Sequence, residues 1–193
     1  MYITIPTALT LFRILLLPVM VIAFYAPFRG ANVAAALIFI AAAITDWLDG
    51  WVARRWNMGS AFGAFLDPVA DKLMVAITLF LLVQENPTPL MAVTSAVIVG
   101  REISISALRE WMSEIGQRRH VNVAALGKIK TLMQIVAIEV LLYQHDLEGL
   151  RLFHAGESLL VLAAALTIWS ALIYLRAAWP AMRRSHGGDG HES

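Results

Sequence analysis

The sequence predicts an all-α, polytopic membrane protein with six transmembrane helices, and three observations predict it. Residues of the hydrophobic set make up 59% of the 193 positions and charged residues only 15%, with a mean hydropathy of +0.69, a balance typical of membrane chains rather than soluble domains. Six stretches each supply the roughly 20 mostly apolar residues that crossing a bilayer core takes. The basic residues are also unevenly placed. If the helices alternate in direction, every lysine and arginine except Arg29 and Arg151 falls on one side, which the positive-inside rule assigns to the cytoplasm together with both termini. The absence of cysteine excludes disulfides and thiolate metal or redox sites. A net charge of +1 gives no pointer to nucleic acid, and no such partner is expected.

The first expected span, 7–26, starts behind Pro6, a residue suited to the first turn of a helix. It contains Arg13 and Pro18; the proline removes one backbone donor and should kink the span. The opening stretch has no basic leader and Ala26 is followed by Pro27, so it reads as a retained span rather than a cleaved signal peptide. The second span, 32–55, is rich in alanine, which lets helices approach closely. A short link leads to the third, 62–84, and Glu85-Asn86-Pro87-Thr88-Pro89 is a turn. The fourth, 88–113, carries Arg101, Glu102, Arg109 and Glu110 at depths where a plain anchor has no charge. A polar loop with Arg118, Arg119 and His120 precedes the fifth span, 124–144, which opens on Gly127-Lys128-Ile129-Lys130-Thr131 with Gln134 beyond. The sixth span is 155–179. Residues 1–182 are expected to form one transmembrane catalytic domain, and 183–193, with Gly187, Gly188 and Gly190, a disordered cytoplasmic tail. Trp47, Trp51, Trp56, Trp111 and Trp179 gather at the predicted cytoplasmic interface, where an aromatic belt accounts for them.

The chemistry is concentrated between Asp46 and Asp71, at the cytoplasmic end of the second and third spans. On a helix turning about 100° per residue, Asp46, Asp49, Gly50 and Ala53 share one narrow face. Gly63, Asp67 and Asp71, each four residues apart, line one face of the next helix. Opposed, the two faces bring four carboxylates around one volume. Such a cluster in a low-dielectric setting must be neutralised by divalent cations or by protons. Hard oxygen donors without cysteine favour Mg²⁺ or Mn²⁺ over zinc. Gly50, Ala53 and Gly63 have almost no side chain, so a bulky group can lie against the backbone there. A lone Asp near a helix end is commonly a solvated interface charge, but that reading does not account for four at facial spacing interleaved with small residues.

This run resembles the signature of the CDP-alcohol phosphotransferase family: Asp46, two residues, Asp49-Gly50, two residues, Ala53-Arg54, eight residues, Gly63, three residues, Asp67, three residues, Asp71. The resemblance implies a six-helix membrane enzyme, commonly a homodimer, that attacks a CDP-linked substrate with an alcohol and releases CMP under two Mg²⁺ or Mn²⁺ ions. It implies that Asp46, Asp49, Asp67 and Asp71 are metal ligands and that Asp71 is also the catalytic general base. Asp46, Gly50, Ala53, Arg54 and Gly63 would bind the nucleotide, with Arg54 reaching either its phosphates or a carboxylate. Arg13 has two open readings, snorkelling to the interface or neutralising part of the carboxylate cluster.

The rest of the chain bears on the acceptor. Ile5-Pro6-Thr7-Ala8-Leu9-Thr10-Leu11-Phe12-Arg13, Arg101-Glu102, Ser106 to Glu110 and Gly127 to Gln134 look like the bacterial branch of the family that uses sn-glycerol 3-phosphate with CDP-diacylglycerol as donor. A phosphorylated acceptor needs fixed positive partners, and Arg101, Arg109, Lys128 and Lys130 are the candidates, in a protein of the bacterial inner membrane. Sister enzymes using inositol phosphate, serine or phosphatidylglycerol are the nearest alternative. A divalent-cation transporter is a further one, but it should carry a polar path to the far side or paired broken helices, and the sequence has neither.

Overall fold

The computed structural model describes residues 4–56, 60–114, 124–143 and 150–185. Six helices account for nearly all of them, α1 (Ile5–Phe24), α2 (Ala31–Trp56), α3 (Ala61–Glu85), α4 (Pro89–Glu114), α5 (Ala124–Tyr143) and α6 (Leu150–Ser185), and no strand occurs among the described residues. Each helix falls on one of the expected spans. The last runs through residues 183–185, the first part of the expected tail; 186–193 and the loop bearing Arg118, Arg119 and His120 lie outside the described residues. Four helices, α1, α2, α4 and α6, contain a segment long and apolar enough to cross a membrane. The other two, α3 and α5, are not in that set. They carry Asp67, Asp71 and Lys72, and Lys128, Lys130 and Glu139, whose charges dilute the apolar run.

Side-chain pairs fix the register of the bundle. Pro6 sits in the first turn of α1, where its missing N–H leaves no intrahelical bond unmade. The Thr7 and Ser60 hydroxyls, 2.6 Å apart, share a hydrogen bond, and Ser60 caps α3 by accepting from the Gly63 N–H at 2.9 Å. Further along, the Thr78 hydroxyl donates to Met20 Sδ at 3.5 Å and Tyr25 donates to Gln84. Helices α1 and α3 therefore run parallel. Helix α2 runs back against α1, with Asn32 at its start donating to Glu85 at the end of α3 at 3.2 Å. The second half repeats the alternation. Thr88 caps α4, accepting from the Met91 N–H, and its hydroxyl donates to Glu157 near the start of α6. One end of the bundle thus gathers the starts of α1, α3 and α5 and the ends of α2, α4 and α6.

Small residues set the closeness of packing. Ala35, Ala36 and Ala42 of α2 are fully buried, as its alanine content led one to expect. At Gly156 a Cβ would stand 2.8 Å from Leu141 Cγ, so α5 and α6 meet at van der Waals distance only because that side chain is missing. The interior is filled by Leu17, Met20, Phe39, Leu79, Leu82, Met91, Ile98, Ile138, Leu141 and Leu160. Leu15, Ile22, Leu37, Phe80, Val93 and Trp169 point outward, an apolar exterior that suits hydrocarbon rather than water.

Candidate active site

Four carboxylates meet around one cation. The last three turns of α2 present Asp46 and Asp49, and the first three turns of α3 present Asp67 and Asp71, on the faces their spacing predicts. Oxygen atoms of Asp46, Asp49 and Asp67 lie within 4.8 Å of one another, close enough to share a metal ion. Arg13 of α1 enters the same volume. Its Nη1 lies 3.0 Å from Asp46 Oδ1 and 3.2 Å from Asp67 Oδ1 and also contacts Asp71, while Nη2 donates to Asp49. Of the two readings of Arg13, the structure shows neutralisation: the residue is 1% exposed, so it does not snorkel to an interface. Asp49 is the deep member, with 4% of its side chain exposed, whereas Asp46, Asp67 and Asp71 keep 43%, 40% and 45%. The cluster is sealed on the bundle side and open on the other.

Gly63 has a use the sequence did not disclose. A Cβ there would stand 2.7 Å from Thr7 Oγ1 and 3.0 Å from Ser60 Oγ. The glycine lets α1 close on α3, which carries Arg13, about two turns further on, to the level of Asp67 and Asp71. Gly50 is half-buried on α2 next to Asp49. The side chains of Ala53 and Arg54, two of the expected nucleotide contacts, lie outside the described residues.

The basic candidates form a second cluster. Arg101 Nη1 and Lys130 Nζ converge on one oxygen, Glu102 Oε1, at 2.6 and 3.2 Å, and Arg101 Nη2 donates to Ser170 Oγ at 3.1 Å. Lys130 is 6% exposed. Arg109, two turns beyond Arg101 on α4, lies over the Tyr174 ring at 5.9 Å, a cation–π arrangement. The side chain of Lys128 is outside the described residues. The two clusters adjoin, because Lys72, the residue after Asp71, donates to Ser106 between Arg101 and Arg109.

The sequence marks Glu102 only as a charge at unusual depth, without a role. Its bridging position depends on how α4 packs beside α5, across 28 residues of chain. The available signal was that ionisable groups on neighbouring spans pair with one another, which makes Glu102 the natural partner of Lys130.

An open carboxylate cluster beside a basic cluster that is buried at Lys130 and exposed at Arg109, both at one end of an apolar bundle, suits phosphoryl chemistry on a lipid. The model of the CDP-alcohol phosphatidyltransferase family matches residues 3–169. The chain belongs to that family. It is 50% identical over 178 residues, 92% of this chain and 96% of the relative, to the CDP-diacylglycerol–glycerol-3-phosphate 3-phosphatidyltransferase of Salmonella choleraesuis. It is 49% identical over the same span to the protein of that name from Escherichia coli strain K12. The four aspartates, Gly50, Ala53, Arg54, Gly63, Arg101, Glu102, Arg109, Lys128 and Lys130 all lie inside the family match. The donor set is made only of carboxylates, hard oxygen ligands that fit Mg²⁺ or Mn²⁺.

Proposed function

We propose that this protein transfers the phosphatidyl group of CDP-diacylglycerol to sn-glycerol 3-phosphate, giving phosphatidylglycerophosphate and CMP. The observation that carries the reading is the adjacency of the two clusters. One is acidic and suited to divalent ions, and the other offers Arg101, Lys130 and Arg109 to a phosphorylated acceptor. The names of the Salmonella and Escherichia relatives support the same donor and acceptor.

In this mechanism Asp46, Asp49, Asp67 and Asp71 would hold Mg²⁺ or Mn²⁺, two ions in all, which would supply positive charge to offset that of the diphosphate. Gly50, Ala53 and Gly63 leave backbone open to the cytidine, and Asp46 and Arg54 contact the nucleotide. Arg101, Lys130 and Arg109, with Lys128, bind the acceptor phosphate through charge-assisted hydrogen bonds. That positions the acceptor's free primary hydroxyl towards Asp71, since Lys72 ties the Asp71 segment to α4. Asp71 accepts the hydroxyl proton as the oxygen bonds to the phosphorus bearing diacylglycerol. The bond from that phosphorus to the CMP oxygen breaks, and CMP leaves with the electron pair. The diacylglycerol chains stay in the bilayer beside the outward apolar side chains. We read all six helices as crossing the inner membrane with both termini cytoplasmic, and the working unit as a homodimer.

The test is CMP release by purified protein in detergent with CDP-diacylglycerol and Mg²⁺. Release that requires sn-glycerol 3-phosphate and stops with EDTA is the expected result. Release indifferent to the acceptor, or to EDTA, overturns the reading.

A further inference from the structure

We propose that Arg13 is a tethered counter-cation that competes with divalent ions for the four aspartates, holding them together until a metal ion takes its place. The inference rests on the reading that Asp46, Asp49, Asp67 and Asp71 bind metal. Three features of the site lead to it.

The first is the crowding at one nitrogen. Oxygens of Asp46, Asp67 and Asp71 all converge on Arg13 Nη1. That nitrogen carries two protons, so it cannot give three acceptors a straight hydrogen bond each. Three carboxylates converging on one point form the ligand set of a cation, and Nη1 stands at its centre. The usual arginine–carboxylate pair is a fork meeting a fork, and this one is not.

The second is charge and size. With all four carboxylates ionised, one guanidinium leaves the cluster strongly negative, while a divalent ion brings twice its charge into a smaller volume. Mg²⁺ draws its oxygen ligands to about 2.0–2.1 Å, too close for a guanidinium nitrogen to remain among the same oxygens. One cation excludes the other.

The third is how Arg13 is held. It belongs to α1, a helix that supplies none of the carboxylates, and its Nε is buried without a hydrogen-bond partner. The unpaired Nε carries a desolvation cost that no partner offsets, so the guanidinium is held there by the carboxylates alone. Removing it leaves α2 and α3 still joined through the metal, while α1 stays pinned to α3 by Thr7, Ser60 and Gly63.

Competition differs from a permanent ion pair in where the cost of losing Arg13 appears. If the guanidinium gives up the aspartates to metal, Arg13→Gln costs stability only when metal is absent. By linkage the variant then binds metal more tightly. If Arg13 stays on the aspartates beside bound metal, its loss costs stability in both conditions.

The experiment uses the full chain in detergent. Mn²⁺ affinity is read from the free-Mn²⁺ paramagnetic resonance signal, and thermal unfolding is followed in EDTA and in saturating Mn²⁺. Expected for R13Q are an Mn²⁺ Kd at least tenfold tighter than wild type and a stability deficit in EDTA that disappears in saturating Mn²⁺. R13K, which keeps the charge on one smaller head group, should fall between the two. An equal or weaker Kd for R13Q, or a deficit that persists in saturating Mn²⁺, overturns the proposal. If R13Q survives purification only with Mn²⁺, the comparison is made in saturating Mn²⁺ alone, where unfolding at the wild-type temperature supports the proposal and a lower temperature overturns it. Absence of Mn²⁺ binding by wild type and variant alike would defeat both this proposal and the metal-site reading, which separates it from a failure of Arg13 alone.

Discussion

Lys130→Gln gives the sharpest view of the acceptor site. Lys130 is buried to 6% exposure on α5, with Nζ 3.2 Å from Glu102 Oε1. Glu102 keeps its 2.6 Å bond from Arg101 when Lys130 is lost, so the substitution leaves no orphaned carboxylate, and the protein should remain folded. What it removes is one charged donor from the phosphate cluster. A hydrogen bond to a charged group contributes about 1.5–3 kcal/mol. At 1.4 kcal/mol per factor of ten, kcat/KM for sn-glycerol 3-phosphate should fall roughly 10- to 150-fold. The loss should appear in KM for the acceptor, since the phosphate is held in both ground and transition states. Steady-state rates of CMP release, varying each substrate in turn, separate the two effects, and a thermal unfolding curve checks the fold. An unchanged acceptor KM, or a larger rise in KM for CDP-diacylglycerol than for sn-glycerol 3-phosphate, would remove Lys130 from the acceptor site.

Three further outcomes follow from the same geometry. Asp71→Asn should retain binding of CDP-diacylglycerol but lose about 10²–10⁴-fold in kcat; normal turnover would remove Asp71 as the base. Gly63→Ala places a methyl 2.7 Å from Thr7 Oγ1 and should destabilise the protein by about 1–3 kcal/mol, as overpacking does. Adding Thr7→Ala should restore part of that loss, and a double variant no more stable than G63A would show that the clash lies elsewhere. Removing divalent ions from wild type with EDTA should abolish CMP release, and Mg²⁺ or Mn²⁺ should restore it.

The carboxylate faces were legible in the sequence because helical spacing alone puts Asp46 with Asp49, and Asp67 with Asp71, and the structure brings the two faces together. The helices α1, α2, α4 and α6 were legible because each holds a run long and apolar enough to cross a membrane, and α3 and α5 because their apolar stretches have helical length despite their charges. Arg13 was not settled, because one charge in an apolar helix does not say which neighbour it faces. That choice is made by the register of α1 on α3, set by Thr7, Ser60 and Gly63, and register between helices leaves little trace in either helix by itself. Gly63 looked like room for a ligand, and the structure shows that α1 also needs the space. The convergence of Arg101 and Lys130 on Glu102 lies between residues distant in sequence, so spacing rules could nominate the two cations but not the anion that holds them.

A competition among acceptors identifies the one this enzyme uses. Purified protein is given CDP-diacylglycerol and Mg²⁺ with equal concentrations of sn-glycerol 3-phosphate, inositol phosphate, serine and glycerol, and the lipid products are identified by mass spectrometry. Phosphatidylglycerophosphate should be the dominant product, formed in step with CMP. A product carrying inositol phosphate, serine or unphosphorylated glycerol in its place would contradict it.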